Sequence, residues 1–481
     1  MKKRFILSLM LIAAMVSLGA CKDAPENDSV VSKNNGSFDS ALIEPNDEEG
    51  NALGSSFAAY SDEFTSTDGT VRYTISLDDE QIFDGALPVV QTRPHFYTVD
   101  DAKRISNLLF GDTELFDWSI NYQMSKQDIE EKLLEWKQLR SDQVLRDLFG
   151  DDEDTIRVNR DTLDALISRY SDPAVYEAAP DTTEHTPCQW MFQDDGEGNT
   201  EIEAVTAVGD LGYHYQVFNR DKDDYRINNL SAYIMDERIA GGSFADVMLM
   251  CEKGYAEKPG QEELDAAKAR AEELIGQLGM GQWQIDSCNA VTQYISSVKE
   301  VYFIEIKAVP VYNGIPVTRL PQLVNLKSED AYAENYYYSD LTIRFLADGT
   351  LLYLQLVSPM DVVQVINDNV NVVTFDILIE KIKAQLELTD VNNFYFIGSN
   401  DGQYSAEVVV DEIELGLNRT RIKDNKTDFY YLPTVTVKGF YKIFDENGNL
   451  IYDLEAMQGR KETLLVLNAI DSSVVNTSAG Y

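Results

Sequence analysis

Histidine and cysteine are scarce in this chain of 481 residues, which holds three of the first and four of the second. His95, His185 and His214 stand far apart and form no HExxH pair, so a helix-borne hydrolytic zinc site is excluded. No CxxC pair occurs, no GxSxG elbow, and no glycine-rich loop that would lead phosphate to a helix start. A Cys188–His214 dyad has no local motif behind it. Asp445-Glu446-Asn447-Gly448-Asn449 has its glycine two places early for a calcium loop, and Ala456 stands where the bidentate Glu belongs, so it reads as a hairpin turn. Asp221, Asp223 and Asp224 read as a solvated turn rather than a calcium site. No metal and no cofactor are expected. Positive charge is also short: 40 Lys plus Arg face 82 Asp plus Glu, a net -42. Such a surface repels phosphate backbones, which excludes nucleic acid as a partner. With so many acids, close carboxylate pairs are inevitable, and none is singled out for glycoside chemistry. Long apolar runs are missing as well; none reaches the roughly 20 residues that a bilayer crossing needs.

The clearest positive signal lies at the start. Met1-Lys2-Lys3-Arg4 precedes an uncharged apolar run over 5–16 and then Ser17-Leu18-Gly19-Ala20-Cys21. A basic start, a short apolar core and small residues before a cleavage point make a secretory signal. Leu-Gly-Ala-Cys resembles the bacterial lipobox, in which the cysteine is acylated and becomes the new N-terminus. The expectation is a signal peptide over 1–20 and a chain anchored through lipid on Cys21 at the outer face of the cell membrane. Loss of Lys2, Lys3 and Arg4 takes the formal charge from -42 to -45, so the lipid, not surface charge, holds the chain to an anionic membrane. Cys188, Cys251 and Cys288 remain; a Cys251–Cys288 disulfide and buried free thiols both stay open.

The stretch 21–57 is small, polar and acidic, and reads as a flexible linker. A strand is expected over 70–77. Thr98 caps a helix that Gly111 ends, a second helix starts at Ser125 with Ile129, Leu133 and Trp136 on one face, and a third is expected over 161–170. Strands broken by turns fill 189–235. Gly254, Pro259 and Gly260 mark a break, followed by a helix with Leu264, Ala267, Ala271, Leu274, Ile275 and Leu278 in one stripe. Hairpins are expected at Asn313-Gly314 and Asp348-Gly349, a helix over 375–386, and strands over 406–415, 429–444, 450–454 and 464–469. The fold class is α+β, with amphipathic helices packed on antiparallel sheets. The expected units are 58–252, 261–400 and a β-rich part over 401–481 packed on the second unit. Residues 98–111 and 261–279 each place Ala-Lys early and Gly at the end of a helix, the pattern of a duplicated helix-on-sheet module.

From Glu263 to Leu388 the order is helix, strand, a hairpin with Tyr312-Asn313-Gly314-Ile315-Pro316-Val317, a second hairpin at Asp348-Gly349, and a helix. This order resembles PepSY-like modules and the similar fold of Yyc-type accessory proteins of Gram-positive envelopes. Ile413-Glu414-Leu415-Gly416-Leu417, Tyr430-Tyr431-Leu432-Pro433 and Leu465-Val466-Leu467-Asn468-Ala469-Ile470-Asp471 resemble a set in uncharacterised lipoproteins of clostridia-like bacteria. The resemblance covers about the last 220 residues and implies a non-catalytic binding or regulatory protein acting on an envelope protein. Yyc-type proteins carry a spanning N-terminal helix, so regulation inside the membrane is not implied for a lipid-anchored chain. Tyr332, Tyr336, Tyr337 and Tyr338 stand among polar residues and form the expected binding surface, with an aromatic strand edge as the alternative. A carboxylate-dependent envelope hydrolase and a glycan- or peptide-binding surface protein are the other readings; the first requires converging acids with raised pKa.

Overall fold

The computed structural model describes residues 41–46, 50–78, 82–117, 124–181, 186–194, 198–208, 211–220, 228–234, 254–294, 300–318, 339–389, 391, 404–422, 425, 427–458 and 461–475. Cys21, His185, Cys251, the acids at 221, 223 and 224, and Tyr332, Tyr336, Tyr337 and Tyr338 lie outside them.

Two large sheets organise the chain, and the fold is α+β. The first runs β1 (Tyr60–Thr65), β2 (Val71–Leu77), β15 (Ser405–Arg421), β16 (Phe429–Phe444), β3 (Val89–Pro94) and β14 (Met360–Asn367). Two more strands, β17 (Leu450–Asp453) and β18 (Glu462–Asn468), also pair with β16. The second runs β11 (Ile315–Pro316), β10 (Glu300–Tyr312), β12 (Asp340–Phe345), β13 (Leu351–Val357), β8 (Asn229–Ile234), β7 (Leu211–Asn219), β6 (Thr200–Val208) and β4 (Phe116–Asp117). Beside that path, β5 (Gln193–Asp194) joins β6 and β9 (Gln282–Tyr294) joins β10. The β2–β15 pair is parallel, while the other strand pairs are antiparallel. The long β15–β16 hairpin is the spine of the first sheet, and the far side of β16 is covered in turn by β3, β18 and β17.

Local chemistry starts and stops the helices. The short α1 (Ala52–Ser56) is capped by Asn51. In α2 (Val99–Phe110) and α3 (Lys126–Leu139), Thr98 and Ser125 each form a reciprocal capping box with Asp101 and Asp128. Three helices follow: α4 (Asp142–Phe149), α5 (Glu153–Tyr170) and α6 (Pro173–Ala178). The expected third helix over 161–170 is longer than read, because Asp152 caps it more than two turns earlier. Next come α7 (Gln261–Leu278), α8 (Phe375–Glu387) and α9 (Leu454–Gln458). Gly279 ends α7 at φ 64, where a side chain would also meet the Arg104 guanidinium.

The second sheet is a middle layer. Along β10 the residues Ile304, Ile306 and Ala308 face a core with Ala102 and Ile105 of α2 and Ala267, Ala271 and Ile275 of α7. Val301 and Phe303, one step out of phase, face a separate core with Ile129, Trp136, Leu145, Ile156 and Leu163 of α3, α4 and α5. The helices compared as a repeat are thus neighbours on one face, joined where Arg104 donates to the Leu278 carbonyl. The first sheet has one apolar core, with Val71, Tyr73, Ile75 and Leu77 of β2 alternating inward and Leu378, Ile379, Ile382 and Leu386 of α8 laid over them.

Strand pairing runs across the expected boundaries. Residues 60–94 share a sheet with 405–468, and β8, from the first expected unit, pairs with β13 of the second. The units 58–252, 261–400 and 401–481 therefore do not coincide with the sheets. Periodicity identifies a strand but not its neighbour, and here the neighbours lie up to about 340 residues away. Among the described residues, backbone hydrogen bonds tie the sheets together at two places. Thr318 N donates to Leu417 O at 2.7 Å beside a parallel Val317–Leu417 bridge, and His95 N donates to Pro359 O at 2.8 Å where the chain crosses between sheets twice.

Candidate functional site

The strand that draws attention is β14, the last in the first sheet. Its inner side pairs with β3: Asp361 with Arg93, Val362 with Thr92, Gln364 with Gln91 and Val365 with Val90, with register shifts before Gln364 and Asn367. Its outer side pairs with no strand among the described residues. Directly paired residues share a face of the sheet, so Val362 and Val365 lie on the side of Thr92 and Val90, both 0% exposed. Yet Val362 is 50%, Val363 44% and Val365 42% exposed. The apolar face of the sheet thus continues one strand beyond the layer that covers it. The result is a row of backbone donors and acceptors beside exposed valines, a template for another strand.

Hydrogen bonds hold this edge at both ends. Asn367 Nδ2 donates to the carbonyls of Leu42 (3.3 Å) and Glu44 (3.0 Å), and Val370 N donates to Leu87 O. At the other end His95 sits between the sheets, its Nδ1 3.0 Å from both Asp361 carboxylate oxygens and its Nε2 3.3 Å from Asp101 Oδ2. Asp101 belongs to the capping box of α2, so the ring links β14 of one sheet to a helix on the other. On the remaining face a polar ladder crosses three strands. Gln364 Nε2 donates to Gln91 Oε1 at 2.6 Å, and Gln91 Nε2 donates to Asp428 Oδ2 at 2.7 Å. Arg93 grips the same buried carboxylate with Nε (2.6 Å) and Nη2 (3.0 Å). The Arg93 guanidinium holds Asp428 below the ordinary carboxylate range.

The Asp361 carboxylate raises the pKa of His95 above its ordinary 6.5 against the opposing effect of burial, with Asp101 adding to the rise. A folded-state pKa above the unfolded one stabilises fully below the unfolded value and is lost as pH rises through the folded value. The difference in unfolding free energy between the native chain and a His95→Gln variant is therefore expected to be largest near about pH 5.5 and to shrink toward about pH 8. Urea titrations across that range check it; a difference that stays flat or grows with pH would refute the link.

The other sequence candidates fall elsewhere. His214 is buried on β7 with Nε2 2.7 Å from Glu203 Oε1, a structural pair. Burial pushes the Cys188 thiol up, the reverse of what a dyad nucleophile needs. Cys288 is a free thiol that donates to the Leu264 carbonyl at 3.5 Å, which leaves the disulfide alternative without support. Asp445 organises the β16–β17 turn, its Oδ1 accepting from the backbone N–H groups of Asn447 and Asn449. Among the described residues no group of three His, Cys, Asp or Glu side chains is placed to hold a metal. The half-buried acids Glu305 and Glu412 are held below their ordinary range: burial raises both, but Arg344 and Lys307 outweigh it for the first, Lys461 and Lys438 for the second. A general acid needs the opposite shift.

No protein-family model matches the chain, and no curated protein matches it. A solved structure of an uncharacterised protein from Eubacterium rectale ATCC 33656 is similar to it with a TM-score of 0.40 and 12% identity, covering 91% of this chain and 98% of that one.

Proposed function

We propose that this chain is a lipid-anchored extracytoplasmic binding protein that takes up an extended segment of an envelope protein as an added strand on β14. The uncovered valines of this edge strand carry the reading. Ladder hydrogen bonds supply affinity in such pairing, and the exposed positions Val362, Val363 and Val365 supply selectivity. The two register shifts limit indiscriminate edge-to-edge association, as bulged edges do. Leu18-Gly19-Ala20-Cys21 supports anchoring through Cys21, and no helix among the described residues is long and apolar enough to cross a membrane. A regulatory role toward the bound protein, and kinship with PepSY-like, Yyc-type or clostridia-like lipoproteins, belong to the same proposal and rest on the motifs between Glu263 and Asp471.

The test is crosslinking and recovery from native membranes with the full lipoprotein, a Cys21→Ala form, a Val363→Lys/Val365→Lys form and a Ser61→Lys control on the opposite edge. The expected result is one membrane protein recovered by the native chain and the control, and lost with the β14 lysines or without the lipid. Amide exchange should then slow across Met360–Asn367 when that protein is bound. Undiminished recovery with the β14 lysines would overturn the edge-strand reading.

A further inference from the structure

The uncovered edge of β14 has a second face, and its chemistry restricts what can be added there. Val362 and Val365 lie on the apolar side, while Asp361 and Gln364, paired with Arg93 and Gln91, lie on the other. On that side the direction of each hydrogen bond is set from the inner end. The Asp428 carboxylate, held ionised by Arg93, can only accept. Gln91 therefore turns its Nε2 donor toward Asp428 Oδ2, at 2.7 Å, and leaves its own Oε1 facing outward. Gln364 must then turn Nε2 inward to meet that oxygen at 2.6 Å. This leaves Gln364 Oε1 as the outermost group of the ladder. Gln364 is exposed, and among the described residues nothing donates to this oxygen.

A strand added outside β14 places a side chain about 5 Å away, opposite Gln364. An Asn or Gln amide there repeats the pattern, donating inward and accepting outward, and each bond polarises the next toward the Asp428 charge. A glutamate has no hydrogen to give, and an apolar side chain strips water from the oxygen without replacing it. The charge of the strand sets a second condition. Met360–Asn367 and the exposed Asp368 that follows include no lysine or arginine, although lysine is the common guard of a sheet edge. An acid stands at each end instead, Asp361 and Asp368. Asp361 stays 62% exposed beside His95, and its register partner Arg93 is committed to Asp428. A second copy of this chain would set its own acids against these whichever way it ran, with a formal charge of -42 on each copy. The occupant is therefore a segment of opposite sign.

We infer that the segment added to β14 is extended and basic, with apolar residues over Val362 and Val365 and an Asn or Gln amide donating to Gln364 Oε1. The inference rests on the strand-addition reading and narrows it. The valines accept many apolar strands, whereas Gln364 and the two acids choose among them. The amide stands on one face and the apolar residues on the other, the alternation that any strand supplies. Lysines at the ends of the segment meet Asp361 and Asp368, so the charge and the amide can be tested separately.

The test uses the full mature chain and soluble peptides that alternate valine and glutamine between terminal lysines, read by calorimetry and by amide exchange across Met360–Asn367. In comparison peptides methionine, which has the length of glutamine but nothing to donate, or glutamate replaces glutamine, or glutamates replace the terminal lysines. The first peptide is expected to bind and to slow exchange across β14. Methionine should weaken binding by about threefold and glutamate by about tenfold. Acidic ends should weaken it by about tenfold at low salt and by less at high salt. Gln364→Met should remove the preference for glutamine over methionine and keep the preference for lysine ends. Slowed exchange in β14 with equal affinity for the glutamine, methionine and glutamate peptides would overturn this selectivity and leave strand addition standing. Slowed exchange with none of the peptides would overturn both.

Discussion

A Gly439→Ala chain is expected to unfold about 3 kcal/mol more easily than the native protein, the upper end of the cost of overpacking. Gly439 lies in β16 opposite Val410, at the point where the β15–β16 register shifts before Glu412. The irregularity brings the Val409 carbonyl oxygen to 1.9 Å from the position a Cβ would take, and Leu464 Cδ1 to 3.0 Å. A flexible side-chain tip could step aside, but a backbone carbonyl inside a sheet cannot move without breaking its ladder. Because β16 also carries β3, β17 and β18, the damage spreads to both sides of the hairpin. Urea unfolding of the variant measures it; a midpoint equal to that of the native chain would show that the bulge relaxes at little cost. Lys438 beside it carries two carboxylate partners, so the same stretch of strand concentrates steric and electrostatic constraints.

Trp136→Ala is expected to cost about 3–5 kcal/mol, the range for deleting a large buried aromatic side chain. Trp136 is 1% exposed at the centre of the core that α3, α4 and α5 form against Val301 and Phe303 of the second sheet. Its ring lies 5.6 Å from that of Tyr170 at the end of α5. The indole is the main filling between helices and sheet, and neighbours held by helix backbones close only part of the cavity left behind. The loss should appear as faster amide exchange throughout α3–α6, with β14–β16 protected as before if the helical layer opens separately. A cost below about 1 kcal/mol would mean that the helices collapse onto the sheet without the indole.

The candidate edge was not legible in the chain. Met360-Asp361-Val362-Val363-Gln364-Val365-Ile366-Asn367 lacks the alternation of a half-buried strand, because the two register shifts put extra residues into it. No strand was expected there. His95 carries no local signal, since its partners Asp101 and Asp361 are six and 266 positions away and only the crossing between sheets brings them together. By contrast, the caps of α2 and α3, the Asp348-Gly349 and Asn313-Gly314 turns and the stripes of α7 and α8 stand where the residues placed them.

The division has a physical basis. Helix caps, turns and amphipathic stripes depend on contacts within four or five residues, so composition and spacing alone determined them, along with the α+β class. Sheet partners are chosen by the whole chain: β2 finds β15, and β3 finds both β14 and β16, across more than two hundred residues whose closure no local pattern encodes. Exposure is likewise a property of neighbours. Val365 of β14 and Val435 of β16 are the same residue type in the same sheet, yet the first is 42% exposed and the second fully buried, because the covering layer ends between them. Only the tertiary structure decided where that layer stops, and the candidate binding edge lies beyond it.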